Sequence, residues 1–166
     1  MITNGFAAVQ AEESISFTLD TPAETAFPLF GPKREMEWDP NWRPIFLAPP
    51  GGDQTERGSV FLIRAADRES VWIMTMYDVA HRAVQYVRVT PGHTTGQLWI
   101  SITPLTAGRS QVKVTYRLTG LSPTGNRFVQ KWALEFPGTG NDWAEVLSHY
   151  LRTGTPLLSK VYDVQE

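Results

Sequence analysis

The sequence predicts an α+β domain in which an antiparallel meander of strands packs against a long C-terminal helix. Three observations carry that prediction. From residue 58 to 121 the chain is a succession of segments rich in Val, Ile, Tyr, Trp, Thr and Met. Their connections are only two to six residues long, which joins antiparallel neighbours and is too short for parallel crossovers. Near the end of the chain, two apolar helical stripes stay in phase and need a large apolar partner surface, which only the sheet offers.

The elements follow in order. In Glu13–Leu19, Ile15, Phe17 and Leu19 alternate with Ser14, Ser16 and Thr18, the period of a strand with one buried face. A helix is expected next, with Thr21 as cap, Pro22 in the first position and Glu24 completing a capping box. Pro28 should kink or end it, because proline lacks a donor and crowds the preceding turn. Residues 31–44, rich in proline, charge and tryptophan, read as a second short helix or an irregular lid, and Pro49–Gly52 as a turn. Strands are expected at Gly58–Ala66, Ser70–Val79, Arg82–Thr90, Gln97–Pro104 and Arg109–Leu121. Phe128, Val129, Trp132, Ala133 and Phe136 then form one helical stripe; Trp143, Val146, Leu147, Tyr150 and Leu151 form another. Seven residues, about two turns, separate Phe136 from Trp143, so Pro137–Gly140 should interrupt either one kinked helix or two helices along one groove. Asn141 is the expected cap of the second part, and Gly154 followed by Pro156 its stop.

Composition narrows the function classes. The 166 residues suit one domain, expected to occupy 1–166 with its core at about 12–154. Net charge is −2 with both signs scattered, so neither a nucleic-acid surface nor membrane insertion is expected. Without cysteine there is no disulfide, thiol nucleophile or thiolate metal site. No leader pattern or membrane-length apolar run is visible, and a cytoplasmic protein is the expectation. Six Trp, eight Phe and five Tyr supply bulky, rigid side chains that suit a core or a pocket wall.

Several strings resemble the SRPBCC superfamily, the START-like helix-grip group of polyketide cyclases/dehydrases, lipid carriers and Hsp90-activator-like domains, and within it an uncharacterised bacterial branch. They are Phe27–Phe30 with Arg34–Trp38; Val71-Trp72 with Tyr77-Asp78; Tyr86–Gly92; Tyr116–Thr119; and Gly125–Phe128 with Ser148–Gly154. The resemblance implies a curved sheet of about six to seven strands wrapped around the C-terminal helix, with a cavity for a small apolar ligand. Pro137–Gly140 departs from the unbroken acidic helix usual there.

Candidate chemistry is sparse. His81 and His93 fall in predicted turns and His149 beside the last stripe; their spacing is not that of a metal site, and all three read as surface or helix-edge residues. No nucleophile elbow, phosphate loop or dinucleotide fingerprint is present, and neither metal nor cofactor is expected. Arg34, Glu35, Glu37, Asp39 and Arg43 form a charged cluster read as a solvated loop, with acid–base work near a pocket as the alternative. Arg64 and Arg88 lie within strand patterns. If Arg88 shares an inward face with Val84 and Tyr86, it sets a cation beside a phenol, suited to binding a carboxylate or polarising a carbonyl. Both faces of Ser70–Val79 are apolar, Trp72/Met74/Met76 and Val71/Ile73/Tyr77, which suggests a covered outer face and a possible homodimer.

The expected ligand contacts are Trp38, Trp42, Trp72, Met74, Met76, Tyr86, Arg88, Trp99, Tyr116, Trp132, Trp143, Leu147 and Tyr150, with no residue assigned to catalysis. The leading expectation is binding or carriage of a small apolar or aromatic ligand in an internal cavity. One alternative is a cyclase or dehydratase in which Tyr86, Arg88, Glu35 or His149 moves protons; another is a protein-interaction module working through a sheet face.

Overall fold

The computed structural model describes residues 5–65 and 68–158. Seven strands form one curved sheet: β1 (Gln10–Leu19), β2 (Ile45–Ala48), β3 (Val60–Ala65), β4 (Arg68–Asp78), β5 (Ala83–Thr90), β6 (Thr94–Thr106) and β7 (Arg109–Gly120). Their order is β1-β7-β6-β5-β4-β3-β2, every pair antiparallel, so the first strand closes onto the last. β2 was not expected; it has four residues between Pro44 and Pro49, too few for a period to show. The expected strand ends at Ala66, and the start of the link that follows it, fall outside the described residues.

The register settles which face is inward. Ile15, Phe17 and Leu19 of β1, Val84, Tyr86 and Arg88 of β5, and Val112, Val114, Tyr116 and Leu118 of β7 are all buried, alternating with more exposed neighbours. On β4 a bulge interrupts the alternation: Met74 pairs with Tyr86, Met76 with Gln85 and Tyr77 with Val84. The extra residue, Thr75, turns Met76 to the outer face and brings Tyr77 inward, where its ring meets Phe27 at 4.7 Å. Part of the doubled apolar pattern of β4 is therefore the trace of a bulge.

The helices depart from expectation mainly at their caps. Helix α1 (Ala23–Ala26) starts one residue later than the capping box requires, so Pro22 takes the cap position and no side chain caps it. Pro28 cannot donate to Glu24, and the chain tightens into a 3₁₀ turn over Phe27–Phe30. At the far end, α2 (Pro123–Glu135) and α3 (Gly140–Thr153) are joined by a 3₁₀ turn over Phe136–Thr139. Pro137 removes one donor, yet Phe136 and Gly140 keep right-handed helical angles, so the two stripes form one rod along the sheet. The expected N-terminal cap of α3 does not operate: Thr139 takes the position that Asn141 was assigned, without a side-chain bond. Gly154 ends the rod at φ 71° as predicted.

The rod is anchored at its start. Ser122 Oγ accepts from Gly125 N at 3.1 Å, and Asn126 accepts from Val9 N and donates to Ala7 O, both at 2.8 Å. A Cβ on Gly125 would stand 1.8 Å from the His93 carbonyl oxygen, so only glycine allows the helix to sit down on the β5–β6 turn. His93 is consequently buried beneath α2, its ring 5.2 Å from Phe128, and is not the surface residue the sequence suggested.

Candidate functional site: an aromatic cavity under a lid

Residues 31–44, between α1 and β2, fold across the open side of the sheet. Asp39 N donates to the Glu35 carbonyl at 2.9 Å and Trp42 N to that of Asp39 at 3.2 Å, so this segment winds helically around a 3₁₀ turn at Arg34–Glu37. Helical winding puts Glu35, Trp38, Asp39 and Trp42 on one face, and that face points inward. Trp38 Nε1 donates to Leu29 O at 2.8 Å and Trp42 Nε1 to Pro32 O at 2.7 Å. With their N–H groups satisfied by the preceding chain, the indole rings are free to pack inward. Trp42 meets Trp72 at 5.3 Å and Phe61 at 5.6 Å, and Trp38 meets Trp143 at 6.0 Å.

Beneath this lid lies a cavity of about 40 Å³, lined by Glu35, Trp38, Asp39 and Trp42 from the lid, by Trp72, Tyr86, Leu98 and Tyr116 from the sheet, and by Trp143 and Val146 from α3. Since a water needs roughly 10–15 Å³ on this measure, the closed cavity has room for a few small molecules of that size. A ring-sized ligand requires the lid to shift. At its rim the lid is tied to α3: Tyr150 donates a short hydrogen bond to Glu37 Oε2, and Arg34 Nε holds Glu37 Oε1 at 2.6 Å.

The polar groups of the site are few and poorly satisfied. Glu35 is only 7% exposed; burial, with Asp39 close by, lifts its carboxyl well above the usual carboxylate range and so favours its acid form. Asp39 is also raised by burial, against the lowering effect of the Asn41 and Trp42 backbone N–H groups and Arg43. Tyr86 donates to Phe30 O at 2.8 Å; burial raises both its hydroxyl and that of Tyr116, keeping both phenols protonated. Trp143 Nε1 has no hydrogen-bond partner among the described residues.

Of the residues expected to meet a ligand, Trp38, Trp42, Trp72, Tyr86, Tyr116 and Trp143 reach the cavity wall. Arg88 stands behind two of them, 5.6 Å from the Trp72 ring and within electrostatic reach of the Tyr116 hydroxyl. Met74 and Leu147 are fully buried in the surrounding core, and Trp132 packs on Phe136 at 5.1 Å and Tyr116 at 6.2 Å. Tyr150 belongs to the lid tether. Two expectations are corrected: Met76 is displaced outward by the bulge, and Trp99 lies on the outer face opposite Gln85 and Thr115, under the Arg117 guanidinium at 5.4 Å. The sequence reading gave no cavity role to Leu98 or Val146, and for Glu35 and Asp39 it preferred a solvated cluster to acid–base work near a pocket. The i, i+3, i+4, i+7 spacing of Glu35, Trp38, Asp39 and Trp42 was the available signal. Arg34 and Glu37 of that cluster are solvated as expected and pair at the rim; elsewhere, Arg64 pairs with Glu69 on the surface at 2.7 Å. His81 is exposed beside Asp78 at 2.7 Å, and among the described residues no group of His, Asp and Glu has metal-site geometry.

A curved seven-stranded sheet gripping a C-terminal helix, with a lidded aromatic cavity between them, defines a START-like helix-grip protein. The chain belongs to the polyketide cyclase/dehydrase and lipid transport family, whose model matches residues 9–145. Among solved structures, norcoclaurine synthase from Thalictrum flavum superposes with a TM-score of 0.64 at 10% identity, over 88% of each chain. A START superfamily protein from Mycobacterium smegmatis gives 0.63 at 17% identity, covering 87% of this chain and 99% of that one. Zhui aromatase/cyclase from Streptomyces sp. R1128 gives 0.61 at 14% identity, covering 91% and 100%. At these identities the likeness is one of fold. No curated protein sequence matches. Among the described residues, no helix is long and apolar enough to cross a membrane.

Proposed function

We propose that this protein, as a single domain, binds a small, largely apolar aromatic ligand between the sheet and α3, admitting it by displacement of the 31–44 lid. The observation that carries this is the wall itself: six of its ten residues are aromatic, and they come from the lid, the sheet and α3. Three separate elements converging rigid rings on one space suit flat-ligand recognition. Native cores hold few voids larger than a water, so an aromatic-walled space of this size is a natural place for a ligand. Native mass spectrometry of gently purified protein tests the reading: the expected result is a co-purified small molecule, lost on Trp72→Ala. An empty protein that also fails to take up naphthalene-sized aromatics in titration overturns it.

The enzyme reading has one specific observation in its favour. Glu35 is a buried carboxyl facing the cavity, and burial raises its pKa and so favours the acid form, the one able to donate a proton to a carbonyl or leaving hydroxyl of a polyketide-like substrate. Turnover abolished in Glu35→Gln, with ligand binding retained, is the result that would promote this reading over carriage. The homodimer keeps a footing on the outer face, where Ile73 of β4 is 37% exposed and Ile45 and Leu47 of the edge strand are exposed beside it. A concentration-independent monomer mass by light scattering removes it.

A further inference from the structure

Among the described residues, Glu35 and Arg88 are the carboxylate-type and guanidinium-type side chains that the fold buries. They differ in how burial is relieved. A carboxyl sheds its charge by taking up a proton, whereas a guanidinium cannot lose its proton in a protein. Arg88 therefore keeps a full positive charge at 4% exposure. Its Nε has no hydrogen-bond partner among the described residues. The one ionisable neighbour it feels is the Tyr116 hydroxyl, and the Trp72 face 5.6 Å away supplies only a π quadrupole. A buried cation without a counter-charge is an arrangement that folding alone does not favour.

Its place in the sheet supports the same view. Arg88 faces Trp72 on β4 and Gly96 on β6, and the buried Leu118 side chain fills the space that a Cβ on Gly96 would need, so apolar groups enclose the guanidinium stem. Trp72 and Tyr116, which flank it, are both cavity wall. Within the ligand-binding reading above, we propose that Arg88 and Tyr116 form the polar end of the cavity, and that the ligand is an aromatic carboxylate whose anionic oxygens they receive. The guanidinium supplies the charge and paired N–H donors, the Tyr116 hydroxyl a further donor, and the lid and sheet rings hold the apolar body.

Calorimetric titration with three probes of one shape tests this: 2-naphthoate, 2-naphthamide and 2-naphthylmethylammonium. The expected result is that naphthoate binds at least about tenfold more tightly than the amide, the scale of one charge-assisted contact, and that the ammonium binds weakest. Arg88→Met should erase the naphthoate preference while leaving amide affinity within about threefold. Because Met removes an unpaired buried charge and keeps much of the volume, that variant should also melt at or above the wild-type temperature. Equal binding of the three probes, or strongest binding of the ammonium, overturns the inference and leaves the cavity reading standing. Absence of binding by all three overturns both. A clear drop in melting temperature for Arg88→Met, together with no naphthoate preference in the wild type, assigns the arginine a structural role and overturns it. The wild-type preference decides the matter even if the variant fails to fold.

Discussion

Glu35 makes stability depend on pH in a direction opposite to that of a salt-bridged carboxylate, and Glu35→Gln isolates the effect. Burial lifts its folded-state pKa well above the unfolded value near 4.5. Between those two values the folded chain holds a proton that the unfolded chain has released, so stability falls as pH rises through that window. Below pH about 4.5 both states are protonated and the contribution is fully present; above the folded pKa both are ionised and the loss is complete. Where the proton difference is one, the slope is about 1.4 kcal/mol per pH unit. For a domain of this size that corresponds to roughly 3–6 °C in melting temperature per unit. Glutamine keeps the side-chain volume and cannot ionise. The wild-type minus variant difference, taken from urea unfolding at half-unit steps from pH 4 to 8.5, should decline along that slope and then level off. Asp39 remains in both proteins and largely cancels from the difference, its own shift coming first from burial. A difference that stays flat across the range, or a variant less stable than wild type at pH 8, would refute the argument. Either result means that Glu35 is ionised and held by a partner.

Three further outcomes follow from the geometry. Tyr150→Phe removes the hydrogen bond that ties α3 to Glu37 on the lid; it should cost no more than about 1.5 kcal/mol of stability while speeding both ligand entry and release in stopped-flow fluorescence. Gly125→Ala drives a methyl to 1.8 Å from the His93 carbonyl oxygen and must push α2 off the β5–β6 turn; a loss above about 3 kcal/mol is expected by chemical denaturation, where an ordinary helical glycine would gain up to about 1 kcal/mol. Trp99→Ala should cost only about 1 kcal/mol and leave ligand affinity unchanged in calorimetry, because this ring lies on the outer face over Arg117.

What could be read from the sequence divides along the two periodicities. Strands with unbroken alternation showed which residues share a face but not which face is inward: Val84, Tyr86 and Arg88 go together, and the structure places all three inside. On β4 the same rule failed after Thr75, because one unpaired residue inverts every later side chain and alternation alone does not reveal where that happens. Trp99 was misplaced for another reason. A large aromatic was taken as inward, although its neighbours Leu98 and Ile100 were the apolar pair in phase with the core. The lid was expected, but its charged residues were read as solvated, because proline and charge mark a loop by composition while the inward face that carries Glu35 and Asp39 is set by a winding of about four residues.

The lid and the sheet now divide the chemistry of the cavity between them. Glu35 comes from the lid and feels Asp39; Arg88 comes from β5 and feels Tyr116; neither is stabilised by the other. Had stability alone shaped this interior, pairing the acid with the base would have relieved both burials at once. Keeping them apart leaves a carboxyl whose pKa burial raises on the lid and a fixed charge on the sheet. On the carboxylate-binding proposal, the fixed charge would select the ligand, and titration of the lid acid would tie the stability of the closed cavity to pH.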